Sequence, residues 1–423
     1  MRKARVEAGL SQARLGSPHF TRAYVSAIEL GKIRPAMKSL EFMAGRLGRP
    51  VSFFLEDEEQ ERRRRERELS MARATQMIAA GSAQEAIDEL LRVQDEATTT
   101  SERLTIRRTL GRAYLEAGDG AKAAGVLSEA LRGYEAVGDR EQIARTRGQL
   151  APALIALMSY AEAEEHLSEA LRASAAGEIR DPLFRVHVLH NLGVVYYQRG
   201  NYQAALEQFE RAALEGSDIA DQKWLASLFA AMGMSRRQLG DYEGAISCLR
   251  KSEALFEAIQ NRSRVAEIRF QMARTLRALG NKSRAREVLE EAATAAREAG
   301  TEQLLIRIEA FAGLAQSQDG QTAQAIERLS ELVKQADDLS QPGPRFTARF
   351  ALAKVVAEVR PEEAEKLLRE TASFFEPLSA SDDLADLYGE LSKVLARRGL
   401  AEEALDYARR AYEIARRPQK GGV

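Results

Sequence analysis

Arginine is the residue type in this sequence best placed to do chemistry, and that chemistry is charge-assisted hydrogen bonding rather than bond making. A guanidinium presents five donors in a rigid fork that matches a carboxylate, a phosphate or the edge of a guanine base. One set lies near the start, where Arg22 heads the run Phe20–Lys32, with Lys32 and Arg34 behind it. A second set is spread along the body as Arg108, Arg112, Arg145, Arg237, Arg274, Arg277 and Arg307. Covalent chemistry has no comparable support. No glycine-rich loop ends in Lys-Ser/Thr, no His-Glu-x-x-His run occurs, and there is no nucleophile elbow. His187 and His190 stand three apart but lack a third ligand and a nearby cysteine, so no metal site is expected. The abundant carboxylates fall on solvated helical faces. The sequence therefore predicts neither an enzyme nor a bound cofactor.

Composition places these arginines in an ordered, helical protein. Across 423 residues, 45% are hydrophobic, 30% are charged and only 10 are proline, which is enough apolar material for a large core. The net charge of −1 hides a division: residues 1–55 carry ten Lys or Arg against three Glu, a net of +7, which leaves −8 on the rest. A basic head on an acidic body suits a polyphosphate partner. The single cysteine, Cys248, excludes an internal disulfide and reads as a packed thiol. Met1–Glu7 has no apolar run of the signal-peptide kind, and no stretch of about 18 apolar residues occurs. A cytoplasmic location and no membrane contact are the expectation.

Local signals define the head. Ser11 can cap a helix that starts there, after a first short one over residues 2–8. Thr21 can cap the next, whose Val25 and Ile28 share a buried face before Gly31 ends it in the left-handed region. Gly16-Ser17-Pro18-His19-Phe20 forms the turn between the two. A fourth helix, about Met37–Leu47, sets Leu40, Met43 and Leu47 against Leu15, Val25 and Ile28, and Val51–Leu55 reads as a short fifth helix over the core's edge. Leu10-Ser11-Gln12, Leu15, the Val25-Ser26-x-Ile28-Glu29-x-Gly31-Lys32 run, Pro35 and Leu47-Gly48 resemble the helix-turn-helix domains of the phage Cro and cI repressor type, the XRE family. The resemblance covers about residues 1–55 and implies a partner, double-stranded DNA. It implies that Thr21, Arg22, Ala23 and Tyr24 meet base edges, with Ser26 close to the DNA backbone. Two hydrogen bonds from Arg22 to guanine would be worth about 1–3 kcal/mol of discrimination. Gln12, Tyr24, Lys32 and Arg34 would contact phosphates, and Glu29 would pair within the fold.

Residues 56–68 form a charge run in which Glu58–Arg62, Glu59–Arg63 and Glu61–Arg65 are spaced i,i+4, so a solvated connecting helix is predicted. From Leu69 a pattern repeats. Its clearest copy, Leu192–Ala212, carries Leu192, Gly193, Tyr196, Gly200, Tyr202, Ala205, Phe209 and Ala212, which resemble the tetratricopeptide repeat. The equivalents of Ala205 are Ala86, Ala123, Ala163, Ala245, Ala285, Ala325, Ala364 and Ala404, in steps of 37 to 42. Turn glycines precede most of them by five residues, but not Ala163 or Ala364. Gln341-Pro342-Gly343-Pro344 interrupts the array, and a bend is expected there. The final helix, Glu402–Arg416, is apolar on two neighbouring faces: Leu405, Ala408, Tyr412 and Ala415 on one, Ala404, Tyr407, Ala411 and Ile414 on the other. Packing of that end on a partner subunit is expected, with packing on its own preceding helix as the alternative.

The fold class expected is all-α: a five-helix helix-turn-helix domain over 1–55, a charged connecting helix over 56–68, an α-solenoid of about nine extended, roughly 40-residue repeats over 69–417, and a tail over 418–423. The repeat resemblance places the first helix of each repeat on a concave face. Aligned on the marker alanine, Thr105, Arg108, Arg112, Arg145, His187, His190, Tyr197, Arg237, Glu267, Phe270, Arg274, Arg277 and Arg307 line it. So many arginines suit an acidic or carboxylate-bearing effector, such as a peptide with a free C-terminus. A head of this kind followed by such repeats resembles peptide-sensing, quorum-sensing bacterial regulators. That resemblance implies a homodimeric, sequence-specific transcription regulator whose repeats bind a peptide or protein effector. The alternative is an interaction scaffold whose head no longer binds DNA.

Overall fold

The computed structural model describes residues 1–216, 221–339, 341–376 and 382–416. Among them every regular element is helical, and two compact units form, Met1–Gly133 and Tyr134–Val423. The first unit contains α1 (Arg2–Glu7), α2 (Gln12–Gly16), α3 (Arg22–Glu29), α4 (Met37–Arg46), α5 (Val51–Ala80), α6 (Ala83–Gln94), α7 (Thr100–Glu116) and α8 (Gly120–Val137), whose last turn falls in the second unit. The second contains α9 (Arg140–Ala156), α10 (Tyr160–Ala175), α11 (Pro182–Gln198), α12 (Tyr202–Glu215), α13 (Gln222–Gln238), α14 (Tyr242–Ala258), α15 (Arg262–Ala278) and α16 (Lys282–Glu298). It continues with α17 (Glu302–Gln318), α18 (Thr322–Asp337), α19 (Pro342–Val356), α20 (Pro361–Phe375), α21 (Asp382–Arg397) and α22 (Ala401–Arg416). No helix among the described residues is long and apolar enough to cross a membrane.

The head closes on one small core. Leu15, Val25 and Met43 are fully buried, joined by Leu40, Leu47 and Phe54, with Ile28 and Tyr24 packed at the side. Each such side chain stabilises the fold by about 1.5–3 kcal/mol through removal from water. The fifth helix departs from expectation. Val51–Leu55 and 56–68 are one continuous helix to Ala80, because nothing between them breaks it: no glycine or proline occurs from Val51 to Ala80. Arg62 and Arg64 pair with Glu66 and Glu68 one turn on. The expected Glu58–Arg62, Glu59–Arg63 and Glu61–Arg65 pairs involve acidic side chains outside the described ones. Nor is the whole run solvated. Arg67 is buried and its Nε lies 2.6 Å from Glu102 Oε1, beside the start of α7.

The repeats form because a small residue recurs where two helices cross. All nine marker alanines are buried, none more than 6% exposed. The helix before each marker often contributes a glycine for the same reason: a Cβ on Gly193 would sit 2.5 Å from the Phe209 ring. The turn residue five before the marker is left-handed, as in Gly200 and Gly240 at φ 75° and 83°. Of the two copies without a glycine, one has Met158 in that conformation, at φ 59°, whereas Val359 in the other does not adopt it. The expected interruption at Pro342 is instead the start of α19, since a proline at the first helical position lacks only a donor the helix would not use. One apolar cluster continues past it, from Leu329 and Leu332 to Phe346 and Leu352. In α22, Ala404 is buried and Tyr407 lies 5.4 Å from the Tyr388 ring, whereas Leu405 and Tyr412 are exposed. Ala415's side chain and the 418–423 tail lie outside the described residues.

Candidate functional site

In the head, the ends of α2 and α3 are set by side-chain caps. Ser11 Oγ accepts from the Arg14 N–H at 3.1 Å, and Thr21 Oγ1 accepts from the Tyr24 N–H at 3.2 Å. The second cap commits Thr21 to the helix start and leaves Arg22 and Ala23 exposed beside it. Gly31 closes α3 at φ 70°, after which Lys32 and Arg34 are also exposed. Among the described residues no carboxylate lies within ion-pair distance of Arg22, Lys32 or Arg34. Ser26 is half-buried on the wall of an open groove of about 580 Å³ that Arg22, Arg2, Ser11 and Gln12 share.

Two of the head residues have protein partners of their own. Tyr24 is half-buried: its ring stacks on Phe20 with centroids 5.2 Å apart, and its hydroxyl lies 3.3 Å from Ser39 Oγ. Gln12 Nε2 donates to Glu29 Oε2 at 2.8 Å. The Glu29 carboxylate is almost fully covered and also receives Arg5, through Nε at 2.6 Å and Nη2 at 3.0 Å. The Arg5 guanidinium, then Gln12, hold that carboxyl below the usual range. The internal pairing expected of Glu29 is therefore present. Its partner Arg5 carried no local signal, because the two stand 24 residues apart.

In the first unit, Arg112 is exposed, and Thr105 and Arg108 are half-buried on α7. In the second, the arginines divide by partner. Arg145 is held by Glu141 at 2.9 Å and Asp181 at 3.2 Å. Arg277 is held by Asp319, with its Nη2 also 2.9 Å from the Ala315 carbonyl. Both serve as ties between helices.

Tyr197, Arg237, Arg274 and Arg307 behave differently. The Arg274 and Arg307 guanidiniums lie 5.7 and 5.6 Å from the centroid of one ring, Phe270, which itself meets Phe311 edge-on at 5.6 Å. Arg307 is 3.4 Å from Glu267 Oε2. Among the described residues no carboxylate lies within ion-pair distance of Arg237 or Arg274. Burial, then the charges of Arg237 and Arg307, push the Arg274 guanidinium below its ordinary value, while Tyr197 and Glu267 oppose the shift. Arginine stays charged regardless, so like charges are gathered on α13, α15 and α17. Gln271, one turn beyond Glu267, was not singled out from sequence. It links them, donating to Glu267 at 2.7 Å and accepting from Arg274 at 3.4 Å.

The two histidines each lie beside an aromatic ring. His190 lies 5.6 Å from the Phe209 ring and burial pushes its imidazole down to about 4, so it is neutral at physiological pH. His187 is exposed, 6.1 Å from the Trp224 ring. Among the described residues no group of three or more His, Cys, Asp or Glu side chains could hold a metal ion.

These elements define an α-solenoid of tetratricopeptide-type helix pairs, and comparisons with known proteins agree. The tetratricopeptide-repeat family model matches residues 142–213 and 224–298. No curated protein matches the chain. Solved structures do. The apo form of RapI aligns over 84% of this chain and 99% of its own, at 12% identity and a TM-score of 0.60. The apo form of the quorum sensor NprR from B. thuringiensis aligns over 98% of both chains, at 13% identity and a TM-score of 0.54. A Rap protein complexed with competence and sporulation factor aligns over 95% of this chain and 96% of its own, at 16% identity and a TM-score of 0.52. Identities this low carry the fold alone.

Proposed function

We infer that the protein is a sequence-specific DNA-binding transcription regulator. Its repeats take a peptide or protein effector on their concave face and mediate homodimerisation. The observation that carries this reading is the capped α3, which buries Val25 inward and leaves Arg22 and Ala23 outward, with Lys32 and Arg34 beyond it. The likeness in fold to NprR, a quorum sensor, and to a Rap protein complexed with competence and sporulation factor supports an effector on the repeats. The exposed Leu405 and Tyr412 on α22 support a second copy as partner.

Binding to random duplex DNA, followed as salt is raised, tests the head. Each neutralised phosphate contributes a slope of about −0.9 in log K against log salt, so Lys32→Ala and Arg34→Ala should each flatten the slope by about one. Arg22→Ala should instead relax base preference, by about 1–3 kcal/mol at one position. Affinity that ignores salt would dismiss the DNA reading. That outcome would leave a docking scaffold, which the internal partners of Gln12 and Tyr24 favour.

A further inference from the structure

We propose that Arg237, Arg274 and Arg307 together form a receptor for a carboxylate group of the effector, with the Phe270 ring as the plate that holds two of the three guanidiniums in place. The proposal rests on the reading that this face of the repeats binds an effector, and names the chemical group it grips there.

Three observations lead to it. The Phe270 ring is buried, only 4% exposed, while Arg274 and Arg307 lie over it at 5.7 and 5.6 Å. Stacking on an aromatic face immobilises a guanidinium and turns its N–H edge outward, lowering the entropy lost when an anion arrives. Next, the charges of Arg237 and Arg307, on the first helices of the neighbouring repeats, both act on Arg274, and the carboxylate that acts on it, Glu267, pairs with Arg307 alone of the three. The local surplus is two positive charges on a half-buried surface, where screening by water is weakened. Finally, two other arginines expected on the same face, Arg145 and Arg277, are each held by a carboxylate, Asp181 and Asp319. The contrast separates tying arginines from receiving ones. A carboxylate fits the guanidinium fork with two parallel bonds, whereas Glu267 meets Arg307 through Nη1 alone, at 3.4 Å.

The carboxylate can be a chain terminus or an acidic side chain, and the test separates them. Three pools of N-acetylated heptapeptides, randomised over uncharged residues, are passed over the immobilised full chain. One pool ends in a free carboxylate, one in an amide, and one in an amide with a fixed central glutamate. Retention of the first or third at least tenfold above the second is expected, and which of the two is retained identifies the source of the carboxylate. Arg274→Gln should cut that preference at least tenfold, as loss of a charged hydrogen bond does. Arg237→Gln, which gives up no ion pair among the described residues, should do the same with an unchanged melting curve. Equal retention of all three pools would overturn the carboxylate receptor yet leave an effector-binding face. A preference that survives in both variants would also overturn it, and no retention at all would remove the peptide-effector reading as well.

Discussion

Arg277 reaches across to the end of the next repeat's first helix and holds Asp319 through two nitrogens, at 3.1 and 3.2 Å. Lys282 adds a third contact at 2.9 Å. The Asp319 carboxyl is pulled down to about 2, chiefly by Arg277 and next by Lys282. The folded value lies below the unfolded one, near 3.9. The contribution to stability is therefore present above about pH 4 and is lost as pH falls from there through about 2. Urea midpoints of the native chain and Asp319→Asn should differ at pH 7 and converge toward pH 2.5. A difference that does not change with pH would refute the pairing.

Met158 occupies a left-handed position that seven other copies of the repeat fill with glycine. A side chain there costs roughly 1–2 kcal/mol, and this one is 44% exposed, so little burial is at stake. Met158→Gly should stabilise the protein by about 1 kcal/mol, read as a higher denaturant midpoint with the same slope.

Gly193 has no room for a methyl group, since a Cβ would meet the Phe209 ring at 2.5 Å. Gly193→Ala should destabilise by about 1–3 kcal/mol through overpacking between α11 and α12. In a double-mutant cycle with Phe209→Leu, the smaller side chain should recover part of that loss. Simple additivity would show that the two residues do not press on each other.

Glu29 is the buried hub of the head, receiving Arg5 and Gln12. Glu29→Ala strands the Arg5 charge, which is only 13% exposed, and should cost about 3–5 kcal/mol. Because its folded carboxyl lies below the ordinary range, the native contribution is full above about pH 4.3 and declines as pH falls further. Hydrogen exchange resolves it: amides of α1 to α3 should lose protection while those of α13 to α16 keep theirs.

Much of this was legible in the residues alone, but unevenly. Helix caps at Ser11 and Thr21, the left-handed Gly31 and the nine buried alanines follow from neighbours within a turn or two, where spacing dictates contact. The roles of similar side chains on similar faces did not follow. Arg274 and Arg277 stand three apart on α15, yet the first has no carboxylate within ion-pair distance among the described residues and the second is tied to one 42 residues on. Tyr24 and Arg22 likewise share a short helix but not an environment. The unbroken α5 shows the reverse case: polar composition after Leu55 suggests a boundary, yet nothing in the chain stops the helix.

By itself the sequence determined the elements, their period and the residues that must be small for helices to cross, because those depend on local geometry and on apolar spacing. Only the tertiary structure decided which charged side chains are consumed by the fold and which have no opposite charge beside them among the described residues. A charge is neutralised by whatever carboxylate arrives within about 4 Å, and chain distance does not govern that arrival.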